Sequence, residues 1–376
     1  MYSRIIQPPS RSFFLFGARG TGKTSWIKTT FPDNIYIDLL ESETYRRLLT
    51  EPSRLEKMIP PQYRQWVILD EVQRVPDILN EVHRLIESKK YRFILTGSSA
   101  RKLKKKGVNL LAGRALTYYL YPLTVTELGK DFKLEKSVVT GHLPVAYTDS
   151  KPEKYLESYV STYLREEIQQ EGLTRNLSAF SRFLEMASFS QGSLLTLSDV
   201  ARDTAIERKV VENYFSILED LLLASRLPVF TKRAKRRLVS HPKFYFFDVG
   251  VYRTLRPKGP LDNPEEIGGV AFESLFFQEL KALNSYLDLG YHLYYWRTSN
   301  NLEVDFVLYG KRGLKAFEIK HTKRLGGHHF SGLRAFLREY PMAKAYLVYG
   351  GQEHLFEKGI EILPIETCLK NLQTFL

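Results

Sequence analysis

A single cysteine, Cys368, in 376 residues leaves no intrachain disulfide and no cysteine-based metal site to be made. No apolar run approaches the roughly 18–20 residues that span a bilayer. The N-terminal run Ser12-Phe13-Phe14-Leu15-Phe16 is too short for a signal-peptide core. Internal repeats and low-complexity tracts are missing as well. These absences argue against disulfide scaffolds, membrane-spanning chains and solenoids, and make a reducing cytoplasm the expected location.

What is present is ordinary in its bulk: 43% hydrophobic and 26% charged residues, at a length that suits two or three domains. The charge balance is less ordinary. Lys and Arg outnumber Asp and Glu, 55 to 42, for a net charge of +13. A polyanionic partner is expected, and DNA before a membrane surface, since no basic amphipathic helix with a large apolar face is visible. The excess gathers at Arg101-Lys102-Leu103-Lys104-Lys105-Lys106 and again at Lys232-Arg233-Ala234-Lys235-Arg236-Arg237.

Up to about residue 135, short apolar runs alternate with helix-length segments. Phe13–Phe16, Ile35–Leu39, Trp66–Leu69, Phe93–Thr96 and Leu116–Leu120 read as strands of a parallel sheet with helices on both faces. Residues 136–257 turn helical: Ser158–Gln170, then a short capped helix at Leu197–Arg202, then a helix from Lys209 to Ser225. Two further strands, Leu227–Phe230 and Phe244–Phe247, bracket the second basic stretch. Helix, turn, helix and basic hairpin together predict a winged helix-turn-helix, with a helical spacer for protein contacts as the other reading. Pro257-Lys258-Gly259-Pro260 then opens a third segment, 258–376.

Gly17-Ala18-Arg19-Gly20-Thr21-Gly22-Lys23-Thr24 matches the phosphate-binding P-loop pattern in full. Its glycines let backbone N–H groups converge on phosphates at a helix N-terminus. Gly17, Gly20, Thr21, Gly22 and Ser25 belong to this cradle, Lys23 supplies charge to the phosphates, and Thr24 offers its hydroxyl to Mg²⁺. Trp66-Val67-Ile68-Leu69-Asp70-Glu71 is the second half: an apolar strand delivering two acids to its C-terminal edge. Asp70 is the expected Mg²⁺ holder and Glu71 the residue that polarises the attacking water. Without the loop, two solvated acids after a core strand would be the better reading. A further strand ends in Thr96-Gly97-Ser98, where Thr96 or Ser98 would sense the γ-phosphate, and Arg114 is a candidate arginine finger.

The loop, Asp70-Glu71-Val72-Gln73-Arg74-Val75-Pro76, Thr96-Gly97-Ser98 and Leu111-Ala112-Gly113-Arg114, with Phe272-Glu273 and Trp296-Arg297-Thr298 further on, resemble a family of bacterial and archaeal AAA-type ATPases. Members carry a C-terminal domain of unknown function that is restriction-endonuclease-like. Together with the winged-helix reading of the middle segment, this gives an α/β architecture in three parts: a P-loop ATPase domain over 1–135, a winged-helix middle domain over 136–257, and a nuclease-like α/β domain over 258–376. The resemblance implies ATP and Mg²⁺ as cofactors.

Endonucleases of the PD-(D/E)xK type combine an acid on one strand, (D/E)-x-K on the next and an acid on a preceding helix. Glu318-Ile319-Lys320 carries the tripeptide, a pattern that also starts at Glu87, Asp131, Asp149, Glu207 and Glu279. Leu302–Tyr309 and Leu314–His321 flank the turn Gly310-Lys311-Arg312-Gly313, so residues whose numbers sum to 623 should face each other. Asp305 then opposes Glu318 and Glu303 opposes Lys320, all on one face, with Phe306, Phe317 and Ile319 on the other. Facing carboxylates repel unless a cation lies between them. Glu273, on the packed face of a helix over Gly269–Leu283, would complete an all-oxygen Mg²⁺ site with Asp305 and Glu318, with Lys320 orienting the water. His328 and His329 could be ligands too, but adjacent histidines in a Gly-rich loop are more often solvent-exposed.

The expected protein is thus an ATP-hydrolysing, DNA-engaging chain with a metal-dependent nuclease-like domain, and a homo-oligomer is compatible with it. Its rival is a nucleotide-dependent switch or scaffold whose C-terminal domain cuts nothing.

Overall fold

The computed structural model describes residues 2–99, 103, 110–163, 168, 176–231, 241–260 and 262–376, which fall into two compact units. One comprises Arg4–Pro122 with Asp220–Leu222; the other comprises Met1–Ser3, Leu123–Glu219 and Leu223–Leu376. The basic residues of both clusters and residues 164–167, 169 and 170 of the expected helix Ser158–Gln170 lie outside the described residues.

The first unit is built on five parallel strands: β1 (Phe13–Phe16), β2 (Ile35–Asp38), β3 (Trp66–Asp70), β4 (Arg92–Gly97) and β5 (Leu116–Tyr119). Their spatial order is β2-β3-β4-β1-β5, so β4 lies between the loop-bearing β1 and the acidic β3. Each expected strand is found within a residue or two of its expected ends. The continuous apolar runs are explained by cover on both faces. On one face of β1, Phe13 meets Trp26 and Phe31. On the other, Phe14 and Phe16 join a core that includes Leu79, Val82 and Leu85 of the helix Ile78–Lys89.

In the second unit the helices Leu197–Thr204 and Arg208–Asp220 lead into an antiparallel pair, β6 (Ala224–Leu227) and β7 (Lys243–Phe246). The second helix stops five residues short of the expected Ser225, because the chain turns through a left-handed residue, Leu222 at φ 60°. The strand also comes earlier than expected. Pro228 has no N–H to donate, and beyond it Phe230 N–H bonds to the Tyr295 carbonyl instead of continuing along β7.

The helix Pro264–Tyr286 starts on an Asn263 cap, with proline at its first position, and runs five residues longer at its start than expected. It covers one face of a six-stranded sheet: β8 (His292–Arg297), β9 (Glu303–Gly310), β10 (Gly313–Lys320), β11 (Lys344–Tyr349), β12 (Leu355–Glu357) and β13 (Ile360–Pro364), in the order β12-β13-β11-β10-β9-β8. Phe276 and Phe277 stack on Phe306 from this helix. The helix Ser331–Glu339 covers the other face through Leu333 and Phe336, which pack with Val304, Val307 and Ala316. Among the described residues no helix is long and apolar enough to cross a membrane.

Candidate functional site

The strand β1 ends at Phe16 and the loop turns at once into the helix Lys23–Thr30. Two turns of the backbone need glycine: Gly20 at φ 84° and Gly22 at φ 93°. Gly17 is required for space, since a Cβ there would lie 2.4 Å from the Leu120 carbonyl oxygen. Thr21 closes the loop by donating its hydroxyl to the Ala18 carbonyl at 2.8 Å. Lys23 is buried, and its ammonium donates to the Gly17 and Ala18 carbonyls at 2.6 and 3.4 Å. Thr24 and Ser25 follow in the first turn of the helix, Thr24 exposed and Ser25 half-buried.

Asp70, the last residue of β3, is held from four directions. Its Oδ2 accepts from the Thr24 hydroxyl at 3.3 Å and from the Tyr36 hydroxyl; its Oδ1 accepts from the Thr96 hydroxyl and from Glu71 N–H at 3.1 Å. Burial, and then the Asp70 carboxylate, push the Tyr36 hydroxyl well above its usual range. Glu71 sits at φ 59°, a left-handed conformation that costs a non-glycine residue energy. Its carboxylate accepts from the side-chain amide of Gln73, which also donates to the Ser98 hydroxyl at 3.1 Å. Thr24, Asp70, Glu71, Thr96 and, through Gln73, Ser98 are thus linked by hydrogen bonds around the ends of three neighbouring strands, with Lys23 in the loop beside Thr24. Thr96 contacts Asp70, which leaves Ser98 as the better placed of the two sensor candidates.

Arg114 is not brought to this edge. It precedes β5, whose Leu116 pairs with Phe13 at the start of β1, whereas the loop follows Phe16. Four strand residues, about 13 Å, separate the two edges. Its guanidinium is ion-paired with Glu87. The sequence pattern does not single out Gln73 or Tyr36. Gln73 lies two residues beyond the acidic pair, where it reads as part of a turn.

In the second unit the β9–β10 pairs, Gly310–Gly313 through Phe306–Phe317, keep the expected register. The expected arrangement of charges then departs from the alternation. Tyr294 pairs with Val307 and Trp296 with Val304, so Asp305 and Phe306 together oppose the single residue Tyr295. Such a bulge re-aims side chains. Asp305 accepts from Ile319 N–H at 2.9 Å and, with Glu273 and Glu303, surrounds the ammonium of Lys243 at 3.3, 3.1 and 2.6 Å. Lys243, on β7, is 3% exposed. Burial works against its charge, but Glu273, Tyr245, Asp305 and Glu303 together raise its pKa well above the usual lysine range. Tyr245, two residues on, donates to Glu273.

Lys320 does not face Glu303. It pairs with Glu318, its neighbour on β10, while Glu303 pairs with Arg297 at 3.2 Å. Burial, then the Asp305 charge, push Glu318 up to about 8, against the pull of Lys320, and its Oε2 has no hydrogen-bond partner among the described residues. Glu273 is also raised, by burial first. A carboxyl that keeps its proton at neutral pH evens the balance of Glu273, Glu303, Asp305 and Glu318 against Lys243, Lys320 and Arg297. The set does not fit a resident Mg²⁺, because an ammonium occupies the space between three of the carboxylates. Among the described residues no group of three or more His, Cys, Asp or Glu side chains is arranged to hold a metal ion. His328 is exposed, and the His329 ring accepts from Gly326 N–H at 2.9 Å.

Residues 9–129 match the model of an AAA domain, residues 131–262 a domain of unknown function (DUF8612), and residues 268–368 another domain of unknown function (DUF4143). The first match points to a nucleotide-binding ATPase. An uncharacterised protein of Mycobacterium tuberculosis is 27% identical over 308 residues, covering 80% of this chain and 68% of that one. An uncharacterised protein of Methanocaldococcus jannaschii is 23% identical over 335 residues, covering 81% and 73%. A crystal structure of a Vibrio cholerae protein aligns over 97% of this chain and 96% of that one at 12% identity, with a TM-score of 0.22, too low to bear on the fold.

Proposed function

We propose that the chain binds ATP with Mg²⁺ at the loop 17–24 and hydrolyses it. The observation that carries this reading is the hydrogen bond from Thr24 to Asp70, residues 46 apart in the chain: the hydroxyl after the loop lysine meets the carboxylate at the end of the acidic strand. Those are the two groups that would hold Mg²⁺, which supplies positive charge to the phosphate oxygens during transfer. The glycine cradle and the fixed Asp70 carboxylate both fit a nucleotide–metal pair.

The rest of the chemistry belongs to the chain. Lys23, now on loop carbonyls, transfers its ammonium to the phosphates. A water attacks the γ-phosphorus, the bond to the β-phosphate oxygen breaks, and ADP leaves with that electron pair. Glu71 takes the proton the water loses. Ser98 donates to the γ-phosphate. Arg114, at the opposite sheet edge, can serve as a finger only for the site of another copy.

For the second unit we favour the reading in which the nuclease-shaped domain does not cut, since Lys243 takes the cation position. DNA remains the expected partner on charge: the net charge is +13, and two basic stretches lie in the chain. The helices before β6 would form a winged helix-turn-helix, with the basic residues at 232–237 close by in the sequence. The ATP reading is tested by calorimetric titration of Lys23→Ala, which should show no measurable ATP binding. Unchanged affinity would refute it.

A further inference from the structure

The geometry points to Gln73 as a positioning residue for ATP hydrolysis, one that fixes the Glu71 carboxylate and ties it to Ser98. The inference rests on the reading of Glu71 given above. Gln73 is 6% exposed, and both hydrogens of its amide nitrogen are used, one on Glu71 Oε2 and one on Ser98 Oγ. Exchanging the two ends of the amide would set its oxygen against a carboxylate, so the bond to Glu71 decides the orientation.

Two features indicate that this bridge is not there for packing. The amide oxygen is buried without a partner among the described residues and is pressed toward Gly97, where a Cβ would lie 2.3 Å from it. An unsatisfied buried acceptor lowers stability, so an apolar side chain of the same length would serve the fold as well or better. Glu71 itself is held in a left-handed conformation by the bonds from its N–H to Asp70 and Thr96, 3.1 and 3.4 Å long. That turn brings its carboxylate within reach of a residue only two positions on. Backbone geometry sets where Glu71 starts, and Gln73 sets where its carboxylate ends.

The bridge also orients Ser98. A hydroxyl that accepts from Gln73 keeps its own proton for another acceptor, and Ser98 lies at the end of β4, beside the loop-bearing β1. A γ-phosphate oxygen is that acceptor in the reading above. Gln73 therefore links the group that reads the γ-phosphate to the group that polarises the water.

The test compares Gln73→Met, which keeps length and removes the donors, with the original protein. Phosphate release gives kcat and KM, ATP titration gives affinity, and a thermal melt reports the fold. We expect kcat to fall at least about 10-fold, toward the order of 100-fold that a misplacement of about 1 Å costs. KM and affinity should stay within about twofold, with the melting temperature held or raised. In a Glu71→Gln background the same change should have no further effect, because the carboxylate it positions is gone. If Gln73→Met does not fold, Gln73→Glu, which keeps the shape and replaces the donor with an acceptor, is read in the same way. Unchanged kcat, an equal loss in the Glu71→Gln background, or a loss that tracks a falling melting temperature would overturn the inference. A Glu71→Gln protein that turns over at the original rate would overturn the reading of Glu71 itself. A strongly slowed Glu71→Gln beside a fully active Gln73→Met would overturn only the role of Gln73.

Discussion

At Lys243 an ammonium that is 3% exposed has three carboxylates within 3.3 Å, and the consequences differ from those of a metal. Removing one member of a buried ionic set strands the others, at about 3–5 kcal/mol. Lys243→Met should therefore lose stability of that order in EDTA. It should also become responsive to Mg²⁺, which can enter the vacated position, while the original protein melts at the same temperature with EDTA or Mg²⁺. Equal stabilisation of both proteins by Mg²⁺ would mean that lysine and metal occupy different places. A second consequence concerns pH. Folded Glu318 titrates at about 8 against 4.5 for the free side chain, so between those values the folded state holds a proton that the unfolded state has lost. The stability this group contributes is fully present below about 4.5 and is lost as pH rises through about 8. Urea unfolding across that window should show a steeper decline for the original protein than for Glu318→Gln. Parallel profiles would contradict the assignment. Neither residue's role was legible in the sequence. Lys243 opens an aromatic strand, where a lysine reads as a solvated end, and its partners come from residues 30 to 62 positions away.

The hairpin β9–β10 shows how far element-level reading reaches. Gly310-Lys311-Arg312-Gly313 and the flanking alternation predicted the register, and the pairs from Gly310–Gly313 to Phe306–Phe317 follow it. The bulge at Asp305 and Phe306 was hidden, because it is set by β8, a third strand whose pairing no local pattern reveals. The apolar stripe before β6 runs past the end of its helix for a similar reason: Leu221, Leu222 and Leu223 continue it, and only the backbone turn at Leu222 ends the helix. The basic stretch after β6 belongs to the same scale. Neutralising Lys232, Arg233, Lys235, Arg236 and Arg237 together should weaken duplex binding and flatten its salt dependence. The log–log slope should drop by about 0.9 for each phosphate that is no longer neutralised. An unchanged slope from fluorescence anisotropy would show that this stretch does not touch DNA.

Across the whole molecule, the nucleotide unit was the more legible, and the reason is physical. The P-loop and the strand Trp66–Asp70 each carry their chemistry in consecutive residues, and parallel strands buried on both faces announce themselves as apolar runs. The charged cluster of the other unit draws Lys243 from β7, Glu273 from a long helix, and the rest from the sheet strands β8, β9 and β10; only the folded chain brings these together. The central claim, that Asp70 and Glu71 serve hydrolysis at the loop, has one direct test. ATP binding and phosphate release should be measured side by side on the original protein and Glu71→Gln. The variant should bind ATP with unchanged affinity and release phosphate roughly 10²–10⁴-fold more slowly, because an amide is a poor proton acceptor. Turnover at the original rate in that variant would contradict the account.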